Sequence, residues 1–276
     1  MSVNRRVVAG LAPSRPRPEL VSWAAIEAQT RHATLELVAA CPPGNAIAEA
    51  TLSWAATVAA EHQPGLRVLT RIVAGRPEQV LSAQAGGADL LVIGAGEQNS
   101  FAEAITGSVP AALLSTAPCP IVVVPKDAKP AGDTARVLVG VDTAEPSRAA
   151  LDYAFDAASR QCAGLEVVLC WTAPHDRAER CGERADQHRG LAESLAGFAV
   201  DYPDVPVTEH LVDGDPIEEL ARRSRHAALL VLGSRGRGRL ASMAFGSVSR
   251  TLIRRSHCPV AVLRPGTTVH VAPAVS

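Results

Sequence analysis

The chain carries one pattern twice. Gly75-Arg76-Pro77 returns as Gly214-Asp215-Pro216, Leu91-Val92-Ile93-Gly94 as Leu230-Val231-Leu232-Gly233, Gly107-Ser108-Val109 as Gly246-Ser247-Val248, and Cys119-Pro120 as Cys258-Pro259, each pair 139 positions apart. Nearer the start of each copy, Gly10 stands opposite Gly140 at a spacing of 130. The nine-residue difference falls around 174–190, rich in Arg, Asp, Glu and His, which reads as a solvated loop leading into a helix. A duplication of this extent requires two copies of one fold. The reading is a first domain at 1–125, a short polar, proline-bearing linker at 126–134, and a second domain at 135–276.

Each copy alternates strand and helix. In the second, apolar runs predict strands at 137–141, 165–171, 207–211, 228–232 and 259–263, with helices at 147–163, 185–200, 216–226 and 247–255 between them. Strict alternation implies an α/β fold with a parallel sheet covered on both faces. Hydrophobic residues are 47% of the chain but aromatics only 3%, so the cores must be built from Ala, Val, Leu and Ile. Trp23 and Trp54 fall on apolar helix faces and are expected in the core.

Glycines cluster where one strand ends and a helix begins. The buried-strand run Ala228-Leu229-Leu230-Val231-Leu232 is followed by Gly233-Ser234-Arg235-Gly236, nine residues, then Gly246-Ser247 at the head of the last helix. Glycine lets backbone N–H groups approach an anion, and a helix N-terminus adds unpaired donors and a positive dipole end. Ser247 offers a hydroxyl and an N–H. In parallel α/β sheets ligands bind beyond the carboxyl ends of strands, where the strand order reverses. The pattern therefore points to a phosphate.

Other chemistries find little support. Net charge is −1, without the basic footprint of a nucleic-acid binder. No apolar run reaches the ~18 residues a membrane span needs, and the start runs into a short strand rather than a leader, so the expected location is the cytoplasm. Six cysteines form no C-x-x-C pair and read as small hydrophobes of a reducing compartment. The histidines lack metal-ligand spacing, so no metal site is expected. Asp215 before Pro216 reads as a helix cap rather than half of a carboxylate pair with Asp213. Asp142, taken alone, is either a turn residue or a ligand group.

The arrangement G-x2-G-x9-G-S, followed by a helix and Cys258-Pro259-Val260-Ala261-Val262, resembles the ATP-binding branch of the universal stress protein family. So does the opening Val137-Leu138-Val139-Gly140-Val141-Asp142, followed by Glu145-Pro146-Ser147. The resemblance covers nearly the whole chain as two tandem modules. It implies Rossmann-like five-stranded parallel sheets of order 3-2-1-4-5, with ATP, and Mg2+ beside it, held across the first and fourth strands. On that likeness Gly140 and Asp142 lie at the first strand's end, and Asp142 meets the adenine. Cys170 walls the base. Gly233 and Gly236 match positions that let the ribose and α-phosphate lie against backbone, and Ser234, Arg235, Arg237 and Gly238 beside them are counted as ATP-binding. Gly246 and Ser247 match the phosphate cradle at the helix start, with Val248 beside them counted as ATP-binding. Arg235, Arg237 and Arg239 either neutralise phosphate charge or are simply solvated. The family also implies that the fifth strands, edge strands by position, pair modules, so that the halves associate there and homodimers form.

The copies are unequal. The first has Ala12 where the second has Asp142, and Glu97 where it has Gly236, while Gly96 lies out of register. A side chain and a negative charge at 97 oppose phosphate approach. The expectation is one ATP per chain, in the second module, and a stress or signalling regulator whose loaded state an unidentified protein partner reads. No G-x-x-x-x-G-K-[ST] loop supplies a phosphate lysine, so no catalytic residue is assigned. The alternative is a slow ATPase or an ATP-using transferase; a weaker one is a flavin or other adenine-cofactor module.

Overall fold

The computed structural model describes residues 5–95, 109–128, 136–142, 147–173, 176–234 and 246–264, with 266, 267 and 269. The chain divides into two compact units whose main segments are Met1–Pro130 and Ala131–Gly266.

The first unit contains β1 (Arg6–Leu11), α1 (Pro18–Thr30), β2 (Thr34–Ala40), α2 (Ala46–His62), β3 (Val68–Val73), α3 (Pro77–Ala85), β4 (Leu90–Gly94), α4 (Val109–Thr116) and β5 (Ile121–Val124). All described pairings are parallel, in the order β3-β2-β1-β4-β5. The second contains β6 (Arg136–Val141), α5 (Ser147–Arg160), β7 (Leu165–Trp171), α6 (Arg177–Leu195), α7 (Phe198–Asp201), β8 (Val207–Asp213), α8 (Pro216–Arg223), β9 (Ala227–Gly233), α9 (Ser247–Arg255) and β10 (Val260–Leu263). Its order, β10-β9-β6-β7-β8, is the same arrangement, again parallel. The expected α/β class and the 3-2-1-4-5 order hold in both units. In each, the order reverses beside the first strand: β1 lies between β2 and β4, and β6 between β7 and β9.

The central strands are aliphatic and sealed. Val7, Val8 and Ala9, Leu90 to Val92, Val137 and Val139, and Leu229 to Val231 are fully buried. Trp23 and Trp54 are half-buried, so these two side chains lie at the core's margin rather than inside it. In the second unit one aromatic pair docks α7. Phe198 stacks on Phe155 of α5 with ring centroids 4.5 Å apart, and the Arg148 guanidinium covers its other side at 4.6 Å.

Local signals explain the helix starts. Pro18, Pro77 and Pro216 each occupy the first turn, where a missing N–H costs nothing. Asp215 caps α8, its Oδ1 accepting from Ile217 N–H at 2.7 Å, as the sequence indicates. The insertion behaves differently from expectation. Helix α6 starts at Arg177, well before 185, because Asp176 accepts from the Glu179 N–H at 3.0 Å. Asp176-x-x-Glu179 has the spacing of a capping box, a signal the charge-rich composition obscured. Among its described side chains, only Leu191 and Leu195 anchor this helix in the core. It ends before Gly197, with α7 a separate turn.

Repeat-matched strand positions carry matched ion pairs. Arg6 on β1 meets Glu36 on β2 at 2.9 Å, and Arg136 on β6 meets Glu166 on β7 at 3.1 Å. Arg71 of β3 is the third member of the first cluster, while His210 of β8 takes its place in the second, 3.8 Å from Glu166.

Candidate functional site

The carboxyl ends of β6, β9 and β10 and the start of α9 meet on one edge of the second sheet. Pairing of Gly140 with Leu232 sets the register, so Asp142 and Ser234, each one residue past its strand, stand level at the reversal in strand order. Asp142 is half-buried there. The Ser234 N–H donates to Leu263 O at 2.7 Å, and its carbonyl accepts from the Gly246 N–H at 2.8 Å. Gly246 is the N-cap of α9, in extended conformation and without a side-chain cap. The first-turn amides of α9 thus lack the usual internal acceptor, and Ser247 opens the helix with an exposed side chain. A Cβ on Gly246 would lie 3.3 Å from the Ser234 carbonyl oxygen, so this close crossing needs a glycine or a displaced backbone. Val248 follows, half-buried.

Ser234 itself is 1% exposed, and its Oγ has no hydrogen-bond partner among the described residues. A buried unpaired hydroxyl costs about 1–3 kcal/mol, so the site leaves a polar group unanswered beside the helix N-terminus. A hydroxyl and backbone amides as donors, with a half-buried carboxylate as acceptor, suit a ligand with phosphate at one end and an amine at the other.

The structure distributes the sequence-based candidates unevenly. Asp142, Gly233, Ser234, Gly246, Ser247 and Val248 belong to the converging strand ends and helix start. Gly140 faces α8: a Cβ there would lie 2.8 Å from Leu220 Cδ1 and 3.0 Å from Leu232 Cδ2. Its lack of a side chain serves strand–helix packing. Cys170, next to last in β7, is half-buried, and burial, with Glu219 nearby, pushes its thiol up to about 11. It stays protonated, as an apolar wall requires. Arg235, Gly236, Arg237, Gly238 and Arg239 lie outside the described residues, as do Gly96, Glu97, Gly107 and Ser108 of the first copy.

The matching edge of the first unit has another composition. Gly10 pairs with Ile93, which brings Ala12 level with Ala95, the counterparts of Asp142 and Ser234. Gly94 does not face open space. A Cβ on it would meet the Arg17 side chain, with Cδ at 3.1 Å and Nη1 at 3.2 Å. Sequence reading missed Arg17, because nothing local announces which strand end a loop arginine will cover. It also missed Ser249, buried in the first turn of α9, whose Oγ donates to Gly233 O at 2.9 Å.

A cavity of about 530 Å³ opens elsewhere in the second unit, along α8, lined by Asp213, Asp215, Glu218, Arg222, Arg225 and Arg255 among others. Its charges largely satisfy one another: Arg255 holds Glu218 through two contacts, at 2.6 and 3.0 Å, and Arg222 holds Glu219 at 2.7 Å. Among the described residues no group of three or more His, Cys, Asp or Glu could hold a metal ion, and no helix is long and apolar enough to cross a membrane.

The model of the Universal stress protein family matches residues 4–125 and 134–264. Universal stress protein Rv2623 of Mycobacterium tuberculosis is 32% identical over 289 residues, covering 95% of this chain and 97% of that protein. Universal stress protein Rv2005c of the same organism is 34% identical over 205 residues, covering 72% and 70%. Among solved structures, a putative universal stress protein from Pseudomonas aeruginosa UCBPP-PA14 superposes with a TM-score of 0.68 at 21% identity, covering 95% of this chain and 94% of that one.

Proposed function

The chain belongs to the universal stress protein family, and from that premise we propose that its second unit holds one ATP, with Mg2+ on the phosphates, and serves as a nucleotide-dependent regulator of stress signalling. The observation that carries the reading is the buried Ser234 hydroxyl, without a partner among the described residues, between Asp142 and the start of α9. Asp142 accepts from the exocyclic amine of the base, and Ser234, Ser247 and the α9 amides receive the phosphates. The first unit holds no nucleotide: Ala12 and Ala95 carry no polar side chain at the places of Asp142 and Ser234.

The protein acts by occupancy, not turnover. The lysines of the whole sequence are Lys126 and Lys129, between the repeats, so no P-loop lysine reaches a γ-phosphate. A protein partner distinguishes the loaded from the empty state. Calorimetric titration with Mg-ATP, run beside a phosphate-release assay, tests this. One site per chain with negligible release is expected. Two sites, none, or turnover approaching ~1 per second overturns it. Asp142→Ala removes one hydrogen bond, about 1 kcal/mol, so ATP should weaken several-fold and discrimination against GTP should relax. Unchanged selectivity would displace Asp142 from the base.

A further inference from the structure

Ser234 and Gly246, which flank the glycine-bearing segment 235–245, are held by three hydrogen bonds, two joining the end of β9 to the start of α9 and one joining it to β10. The Gly246 N–H donates to Ser234 O at 2.8 Å, the Ser234 N–H donates to Leu263 O at 2.7 Å, and the Ser249 hydroxyl donates to Gly233 O at 2.9 Å. Of these, the Ser249 bond alone comes from a side chain, and it alone joins the body of α9 to the strand that feeds the loop. Ser249 is 4% exposed, with its hydroxyl proton committed to that carbonyl. It is therefore poorly placed to be a phosphate ligand, unlike the exposed Ser247 two residues earlier. Its counterpart 139 positions back is Pro110, in the first turn of α4, which has no hydroxyl to give. The tie thus belongs to the unit that carries the buried Ser234 and is impossible in the unit that does not.

We propose that Ser249 is a positioning residue for the nucleotide, an inference that rests on the ATP reading above. It holds the α9 N-terminus at a fixed distance from the end of β9, so the amides that receive the phosphates are in place before the ligand arrives. Without it the two ends of the loop separate more freely, and binding must meet the ordering cost that the fold otherwise meets in advance. The hydroxyl acts through Gly233 and α9, not by touching ATP.

Three proteins decide the matter: wild type, Ser249→Ala and Ser249→Thr. Each is titrated with Mg-ATP by calorimetry at 25 °C, and each is unfolded thermally without nucleotide. Ser249→Ala should bind ATP about two- to tenfold more weakly, the range one neutral hydrogen bond spans, and Ser249→Thr, which keeps the hydroxyl, should recover most of the loss. A purely architectural serine would lower the nucleotide-free melting temperature of the alanine variant and leave the affinity at 25 °C unmoved. That result overturns the inference, as does a folded threonine variant that binds no better than alanine. A wild-type protein that binds no ATP overturns the nucleotide reading first, and this inference with it.

Discussion

At the reversal in strand order the first unit sets Ala12 level with Ala95, and the second sets Asp142 level with Ser234. One step away, the first unit lays an arginine on Gly94, while the second closes its loop with Ser249 where the first has Pro110. The packing beneath is the same. Gly10 sits under Leu81, and Gly140 under Leu220, with nearly identical clearances of 2.7 and 2.8 Å to an added Cβ. Leu81 and Leu220 are themselves 139 positions apart. The fold therefore depends on positions inside the sheet–helix contact, and the site depends on a handful of residues beyond the strand ends. The second set can change while the first is kept.

The sharpest way to break this comparison is to place the same charge in both units. Gly246→Glu sets a side chain against the Ser234 carbonyl and a carboxylate beside the phosphates, so ATP affinity should fall by roughly a hundredfold or more. Gly107→Glu should leave it within a factor of about two, since an alanine pair supplies no ligand group there. Calorimetry on both variants is sufficient, and equal losses would mean that both units hold nucleotide.

Glycine-to-alanine changes in the sheet should show the opposite symmetry. Gly10→Ala and Gly140→Ala each drive a methyl into a buried leucine, an overpacking that costs about 1–3 kcal/mol. Chemical denaturation should find the two losses similar. If Gly140→Ala instead spares stability and weakens ATP, this glycine serves the ligand rather than the core.

The smallest expected difference concerns acid. His210 is surrounded by Arg136 from β6, Glu166 from β7, and Glu219 and Arg223 from α8. Burial, then the Arg223 guanidinium, hold its pKa below the ordinary 6.5, with Glu166 opposing. The fold therefore prefers the neutral ring. That preference costs nothing above pH 6.5, where the unfolded ring is neutral too, and stability declines as pH falls from there toward the lowered value. His210→Gln should flatten the decline between pH 7.5 and 5.5 in denaturation experiments. A slope unchanged by the substitution would assign the acid sensitivity to other groups. The first unit has Arg71 at this place, which does not titrate in that range.

Much of this was legible in the chain because it is periodic or local. The second-unit strands fall within two residues of the predicted ends; the central ones, buried on both faces, write near-continuous aliphatic runs, while the exposed edge strand β8 runs two residues beyond its predicted end. Asp215-Pro216 announced a capped helix. The start of the inserted helix is not legible from periodicity, because among its described side chains only Leu191 and Leu195 reach the core; its cap at Asp176 is the local trace.

What the amino-acid order settled unaided was the duplication, the strand–helix alternation, and the motif residues at the head of α9, all properties of neighbours along the chain. The folded molecule alone decided that Gly140 faces Leu220, that Arg17 lies over Gly94, that Ser249 holds Gly233, and that Ser234 is buried without a partner among the described residues. Each of these relations joins segments distant in sequence, and parallel pairing with its crossover helices decides which of them meet.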